Sequence, residues 1–87
     1  MSNKSTPTDN SRTAQRARLL TYLQEYFSCT TLQGRELLNI LHVAGRVKEL
    51  RELGHNIVTT WVQDSDYEGR KHRVGKYVLL TSKHKEV

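Results

Sequence analysis

The spacing of the apolar residues changes at Gly54, and this change constrains the fold more than any other feature of the chain. Before Gly54, apolar side chains recur every three or four positions, which is typical of amphipathic helices. After it, residues 56–62 and 74–80 alternate between two faces with period two, which is typical of strands. The polar residues 63–73 between them contain Gly69, which can supply a turn. The pattern therefore predicts an α+β chain in which helices precede a β-hairpin.

The helical part of the chain divides into three predicted segments. They are expected at Ala14–Tyr26, Leu32–Asn39 and Val43–Leu53. Ser11 or Thr13 is expected to cap the first segment and Thr31 the second, because their hydroxyls can accept a hydrogen bond from a first-turn amide. Asn39 and Gly54 can adopt the left-handed conformation that ends a helix.

Two helices joined by a tight turn, then a hairpin with a basic arm, form the layout of a winged helix-turn-helix domain. The predicted fold is therefore three helices plus a two- or three-stranded antiparallel wing, to which residues 28–31 could add an edge strand. We expect the domain at 12–81, a disordered arm at 1–11 and a flexible tail at 82–87. The buried stripe of the first helix is expected to comprise Ala17, Leu20, Leu23 and Phe27, with Leu19 at its flank. The predicted core is built on Leu20, Leu23, Leu37, Ile40, Val47, Leu50, Ile57 and Tyr77.

Composition narrows the classes of protein to which the chain could belong. It has 87 residues, which suits one domain, and a net charge of +5, which favours a polyanionic partner. A single cysteine, Cys29, excludes an intramolecular disulfide and a cysteine-rich zinc site. The first residues contain no apolar stretch typical of a signal peptide, and no run approaches a membrane span. We therefore expect a cytoplasmic protein with no membrane contact.

Patterns typical of enzymes and cofactor sites are missing from the sequence. The four histidines have no metal-ligand spacing, and the chain contains neither a glycine-rich phosphate loop nor a nucleophile elbow. Asp64 and Asp66 lack the further oxygen ligands of a calcium loop. Trp61 and the four tyrosines are interpreted as packing and hairpin residues rather than a platform for stacking bases. We expect no catalytic residue, no metal and no cofactor.

Residues 44–57, with the sequence AGRVKELRELGHNI, resemble small helix-turn-helix domains of bacteriophages and prophages. Those domains have a recognition helix of the form small-small-Arg-Ile/Val-x-Glu-Leu-Arg, a Gly-His-x-Ile step, and a hairpin tip ending Gly-Arg-x-His. Residues 69–72 match that tip, and residues 13–16 match the opening of such domains. Gly45 departs from the commoner alanine and Val43 from the proline that often opens the helix. The resemblance implies a DNA-binding module, a phage or prophage regulator of transcription or an accessory factor.

The third predicted helix is the candidate for insertion into the DNA major groove, because side chains near the start of such a helix reach base edges. Its candidate contacts are His42, Gly45, Arg46, Lys48 and Glu49. Two interpretations of Arg46 stay open: a contact with DNA, or a structural ion pair with a carboxylate such as Glu49 or Glu36. Arg51 lies nearer the buried side and is interpreted as structural.

The hairpin arm carries four consecutive residues that can bear positive charge: Arg70, Lys71, His72 and Arg73. They could contact the phosphate backbone or the minor groove. Alternatively they pair with acidic residues across the hairpin and form a solvated loop. Arg12, Arg16 and Arg18 at the start of the first helix either meet phosphates or have no role in binding.

The predicted partner is double-stranded DNA. The alternative is a winged-helix domain that binds a protein partner and no DNA, which the mixed charge of Lys48, Glu49 and Glu52 favours. A homodimer, or a larger phage or host protein as partner, is compatible with a domain that reads a short site alone.

Overall fold

The computed structural model describes residues 9–80 of the chain. Within this range the chain forms three helices and one antiparallel sheet of three strands. The first strand lies between the first and second helices in the chain, and the other two strands follow the third helix. In chain order the elements are α1 (Arg12–Tyr26), β1 (Ser28–Thr30), α2 (Thr31–Leu38), α3 (Val43–Glu52), β2 (Ile57–Ser65) and β3 (Lys71–Leu79). The predicted arm at 1–11 lies outside the described residues except for 9–11, and the predicted tail at 82–87 lies wholly outside them.

Side-chain caps fix the starts of the first two helices. The Ser11 hydroxyl accepts a hydrogen bond from the Ala14 amide at 3.1 Å, as one of the two predicted caps of α1 should. The prediction of Thr31 as the cap of α2 is wrong by one residue, because Thr30 caps it. Thr30 ends β1 with the extended backbone that a cap requires, and it exchanges hydrogen bonds of 3.0 and 2.9 Å with Gln33 in a capping box.

Left-handed residues end two of the helices and the turn after the third. Asn39 has φ +57° and Gly54 has φ +106°, as the sequence predicted. Phe27 has φ +69°, which the sequence did not indicate, and it turns the chain from α1 into β1. Because Phe27 leaves the helix, it also leaves the stripe it was expected to join, and its side chain is 50% exposed.

The sheet has the order β1-β3-β2, so β3 is its central strand. The edge strand β1 pairs with β3 from Ser28↔Val78 to Thr30↔Lys76, which confirms the expected third strand. The strands β2 and β3 pair in register from Ile57↔Leu79 to Ser65↔Lys71. Directly paired residues share a face of the sheet, and the odd-numbered residues of β2 and β3 lie on the face that packs on α1 and α3. We call this the helix face and the other one the back face.

The core lies between the helix face, α1 and α3. It comprises Leu19, Leu23, Cys29, Ile40, Val43, Val47, Leu50, Ile57, Tyr77 and Leu79. The predicted stripe of α1 is wrong by part of a turn: Leu19 is fully buried, whereas Leu20 is only partly buried and Ala17 is exposed. The observed stripe runs through Gln15, Leu19 and Leu23, because the buried Gln15 amide has hydrogen-bond partners in the backbone and in α3.

Two further predictions about packing and strand length are corrected. Leu37 was expected in the core but is 62% exposed, because α2 packs on α3 through Gly34, whose Cα lies against the side chain of Val43. The loop expected at 63–73 shrinks to residues 66–70, because β2 continues to Ser65 and β3 begins at Lys71. The hairpin is therefore a long two-stranded wing with a short tip.

Candidate nucleic-acid interface

A cluster of side chains around Arg46 and Glu49 fixes α3 against α1. Two guanidinium nitrogens of Arg46 donate to the two carboxylate oxygens of Glu49 at 2.8 and 2.9 Å, and the third donates to Gln15 at 3.3 Å. Arg16 of α1 donates to the same Glu49 carboxylate at 3.1 Å. Arg46 is only 8% exposed. Of the two interpretations left open for Arg46, the geometry favours the structural pair with Glu49.

The charge state of Glu49 follows from these contacts. Its partial burial disfavours the charged form, but hydrogen bonds from Arg46 and Arg16 and the two positive charges outweigh that effect. The pKa of Glu49 therefore lies below its usual value, and its carboxylate is held by the protein rather than presented to a ligand.

The surface of α3 that faces away from the core carries a different set of the candidate residues. Lys48 and His42 are exposed, and Gly45 is half-buried beside them. His42 precedes the first helical residue, but its side chain makes no capping hydrogen bond. Gly45 has only the Cβ of His42 within 4 Å of where a side chain would begin, at 3.9 Å, so this part of the helix is open.

Arg51 connects α3 to the base of the wing. Its guanidinium donates to the backbone carbonyl of Ile57 at 2.7 Å and to the Thr59 hydroxyl at 2.8 Å. Both partners belong to β2 and lie on the helix face of the sheet. Arg51 is exposed, so its predicted place nearer the buried side is wrong, but the structural role predicted for it agrees with these contacts, which link the outer surface of α3 to the wing.

Asp66 builds the tip of the wing. One carboxylate oxygen accepts hydrogen bonds from the amides of Glu68 and Arg70 at 2.9 and 3.0 Å, and the other lies 2.8 Å from His72 Nε2. The His72 contact is the largest of the effects that hold the pKa of Asp66 below its usual range, and the two amide bonds act in the same direction. Arg70 is bound to Glu68 by a short ion pair at the same tip.

The four candidate residues of the wing are divided between the two faces of the hairpin. Lys71 and Arg73 are opposite Ser65 and Gln63 on the helix face, which is the side of α3. His72 is opposite Asp64 on the back face and contacts Asp66. In the structure the two cations lie on one face, and the acid–histidine contacts lie on the other.

Two of the three arginines of α1 have structural contacts. Arg16 pairs with Glu49, and Arg18 donates to the Leu38 carbonyl at 2.8 Å and to the backbone of Asp9 at 3.3 Å. Arg12 is exposed and forms no ion pair with another residue of the described range. The contacts favour a structural role for Arg16 and Arg18.

Trp61 was interpreted as a packing residue, yet its side chain is 60% exposed on the helix face of the wing. The residue directly opposite it on β3 is Gly75, which has no side chain to cover the indole. The guanidinium of Arg73 lies over the ring at 5.1 Å from its centroid. The sequence contains Gly75 in the second strand of the predicted hairpin. With the strand register known, Trp61 is paired with this glycine and therefore has no cross-strand side chain to bury it.

Residues 9–80 contain neither a candidate metal site nor a helix that could span a membrane. No group of three or more histidine, cysteine, aspartate or glutamate side chains could hold a metal ion there. None of the helices in that range is long and apolar enough to cross a membrane.

Comparison with known proteins agrees with the observed architecture. A family model described as a winged helix-turn-helix domain matches residues 14–82. With the three helices and the three-stranded antiparallel sheet, this match confirms the predicted fold class. Neither the curated proteins nor the solved structures that were searched contain a match to the chain.

Proposed function

Because the chain belongs to the winged helix-turn-helix domain family, we propose that it binds double-stranded DNA, with α3 in the major groove and the wing on the phosphate backbone. One observation carries this proposal. Lys71 and Arg73 share the helix face of the wing, and Arg51 joins that face to the outer surface of α3. These contacts support a single DNA-binding surface formed by α3 and the wing.

The proposed contacts on α3 are His42, Gly45 and Lys48, because they lie on its open side. The lysine ammonium is long enough to reach a base edge, and the missing side chain at Gly45 allows close approach of the backbone. Arg46 and Glu49 are left out of the proposed contact set, because each already holds the other. Their part in binding is to orient the helix.

On the wing, Lys71 and Arg73 are the proposed phosphate contacts. Arg70 is added because its side chain remains 72% exposed at the tip despite its ion pair with Glu68. His72 is left out because it lies on the opposite face against Asp66. Phosphate contacts of this kind position a protein on a duplex without reading its sequence. Selectivity among sequences is therefore assigned to α3.

The resemblance of residues 44–57 to phage and prophage domains supports a narrower role, as a regulator of transcription or an accessory factor acting on DNA. One recognition helix reads only a few base pairs. We propose that a longer site is bound by two copies of the chain or together with a larger protein.

A salt titration of binding to random duplex DNA, followed by fluorescence anisotropy, tests the proposal. Affinity should fall steeply with salt, and Lys71→Ala should reduce the slope of log K against log salt by about one unit, because one phosphate contact is lost. Lys76→Ala is the matched control. It removes the same charge from the same strand, but on the back face, where no contact with the duplex is proposed.

Base reading is tested separately with Lys48→Ala. If Lys48 contacts a base, this variant should lose about 1–3 kcal/mol of discrimination between selected and random sites. A wild-type protein that binds duplex DNA only at roughly millimolar concentration in low salt would contradict the proposal, because non-specific DNA binding is normally tighter.

A protein partner is the second candidate function, and one observation favours it. Leu37 and Leu41 are 62% and 66% exposed, on either side of the turn that leads into α3. Exposed leucines that form a contiguous patch are typical of a protein-binding surface. Loss of partner binding in Leu41→Ala, without any measurable DNA affinity in the wild type, would select this function over the first.

A further inference from the structure

A groove of about 570 Å³ lies between the start of α2 and the wing. Its volume falls within the range of small-molecule and cofactor sites. Aromatic and cationic side chains of the wing form one wall, and residues of α2 form the other. Five of the lining residues matter here: Arg35, Glu36, Trp61, Tyr67 and Arg73.

The aromatic wall of this groove is exposed. Trp61 is 60% exposed and Tyr67 is 89% exposed. The guanidinium of Arg73 lies over the Trp61 ring at 5.1 Å from its centroid, and the rest of the indole stays largely exposed. An exposed indole is unfavourable, because removing its apolar surface from water lowers the free energy. An aromatic side chain kept open beside a cation is the arrangement by which proteins stack nucleobases.

The location of Trp61 decides which nucleobase could reach it. Thr59, two residues away on the same face, contacts Arg51 of α3, and Lys71 lies on that face near the tip. The indole is therefore between the proposed groove-reading helix and the proposed phosphate contact. Base faces inside a duplex are covered by their neighbours, so within a DNA strand an unpaired base offers the face that can stack on the indole.

We propose that the groove between α2 and the wing binds an unpaired nucleobase stacked on Trp61, so that the protein prefers duplex DNA adjoining a single-stranded segment. The inference rests on the proposed function and names the class of DNA that this surface selects. Arg73 holds the indole from one side, and the base occupies the open side.

The other wall of the groove supplies polar groups for the edge of the base. Arg35 and Glu36 of α2 are both exposed and both line the groove, so a donor and an acceptor are available. The Arg35 Nε donates to the Leu41 carbonyl at 3.4 Å, which anchors the side chain while its terminal nitrogens stay at the surface. Stacking on Trp61 accepts any base, so Arg35 and Glu36 would produce only a modest preference for one base over another.

Three DNA substrates with a common duplex test the inference by anisotropy. One has blunt ends, one carries a short thymidine overhang, and one carries an abasic overhang of equal length and charge. The wild-type protein should bind the thymidine overhang about 5- to 100-fold more tightly than the abasic one, because a stacked base contributes that much. In Trp61→Ala this ratio should fall to about one, and in Trp61→Phe most of it should remain.

The chain contains a single tryptophan, so its fluorescence gives a second readout on the unmodified protein. Stacking should quench this emission with the thymidine overhang and leave it nearly unchanged with the abasic overhang. Equal affinities for the two overhangs, or a preference that survives in Trp61→Ala, would overturn the inference. Circular dichroism of each variant verifies that it is folded.

The outcome for the proposed function is read from the blunt duplex alone. Salt-dependent binding of that duplex with no preference for the thymidine overhang would refute the stacking site and leave duplex binding intact. Binding of thymidine single strands without affinity for the duplex would refute the proposed function and keep the stacking site. Capture of a protein partner by a chain with no affinity for any of the three substrates would overturn both.

Discussion

Two helical glycines should respond to the same substitution with opposite signs. A Cβ added at Gly34 would lie 2.6 Å from Cγ2 and 3.2 Å from Cγ1 of Val43, whose side chain is 1% exposed. A Cβ added at Gly45 would have only the His42 Cβ nearby, at 3.9 Å. Alanine at Gly34 therefore collides with a stiff, buried side chain, and alanine at Gly45 enters open space.

The magnitudes follow from two opposing effects. Replacing a helical glycine by alanine gains about 0.5–1 kcal/mol in backbone entropy at either site. Adding a methyl group to a packed core costs about 1–3 kcal/mol, and this cost applies only at Gly34. Gly45→Ala should therefore stabilise the domain by about 0.5–1 kcal/mol, and Gly34→Ala should destabilise it by up to about 2 kcal/mol. The entropy gain cancels in the difference between the two variants, which isolates the packing cost.

Thermal unfolding followed by circular dichroism measures this difference. For a domain of this length, 1 kcal/mol corresponds to about 4–8 °C in Tm, so the two variants should be well separated. Adding Val43→Ala in both backgrounds completes a double-mutant cycle, and it should relieve the penalty at Gly34 only. A Tm for Gly34→Ala as high as that for Gly45→Ala would refute the close contact between α2 and α3.

Two further predictions concern the core and the acidic groups. Leu19→Ala should cost about 2–5 kcal/mol, whereas the exposed Leu37→Ala should stay within about 0.5 kcal/mol. Similar values for both in chemical denaturation would contradict the observed packing of α1 and α2. The pKa values of Glu49 and Asp66 lie below their usual 4.5 and 3.8, so the stabilisation from these carboxylates is present at neutral pH and is lost as the pH falls through the lowered values. Glu49→Gln should therefore lower the Tm at neutral pH and lose most of that effect in strong acid. An equal effect at both pH values would show that Glu49 does not act through its charge.

The parts of the fold that were predictable are those governed by local backbone chemistry. Ser11, Asn39 and Gly54 are residue types that cap or end helices through their own side chain or conformational freedom, and the structure uses all three in this way. The hairpin was predictable because the spacing of apolar residues changes from three or four to two, and this spacing depends only on residues close in the chain.

What the sequence did not reveal depends on partners distant in the chain. Gln15 can lie in the buried stripe because its side-chain amide accepts a hydrogen bond from Arg46 of α3 and donates one to the Asn10 carbonyl. The sequence around Gln15 does not indicate these partners. Leu37 lies outside the core because α2 approaches α3 through Gly34. Lys71 and His72 lie on different faces because β3 begins at Lys71. The sequence did not predict this, since the composition of residues 63–73 indicated a loop, whereas the paired strands extend into that segment.

Because Cys29 is buried, the rate at which its thiol reacts with an alkylating reagent measures how often the protein unfolds. Its side chain is fully buried opposite Tyr77, and burial raises the pKa of the thiol to about 11. At mildly alkaline pH only about one folded molecule in a thousand would hold a thiolate, whereas an unfolded chain would hold a substantial fraction. Alkylation of the single cysteine therefore counts openings of the core, and its rate reports the stability of the native protein at concentrations far too low for calorimetry. Since Cys29 lies on β1 and Trp61 on β2, fluorescence and alkylation observe the two edge strands of the sheet in the same protein.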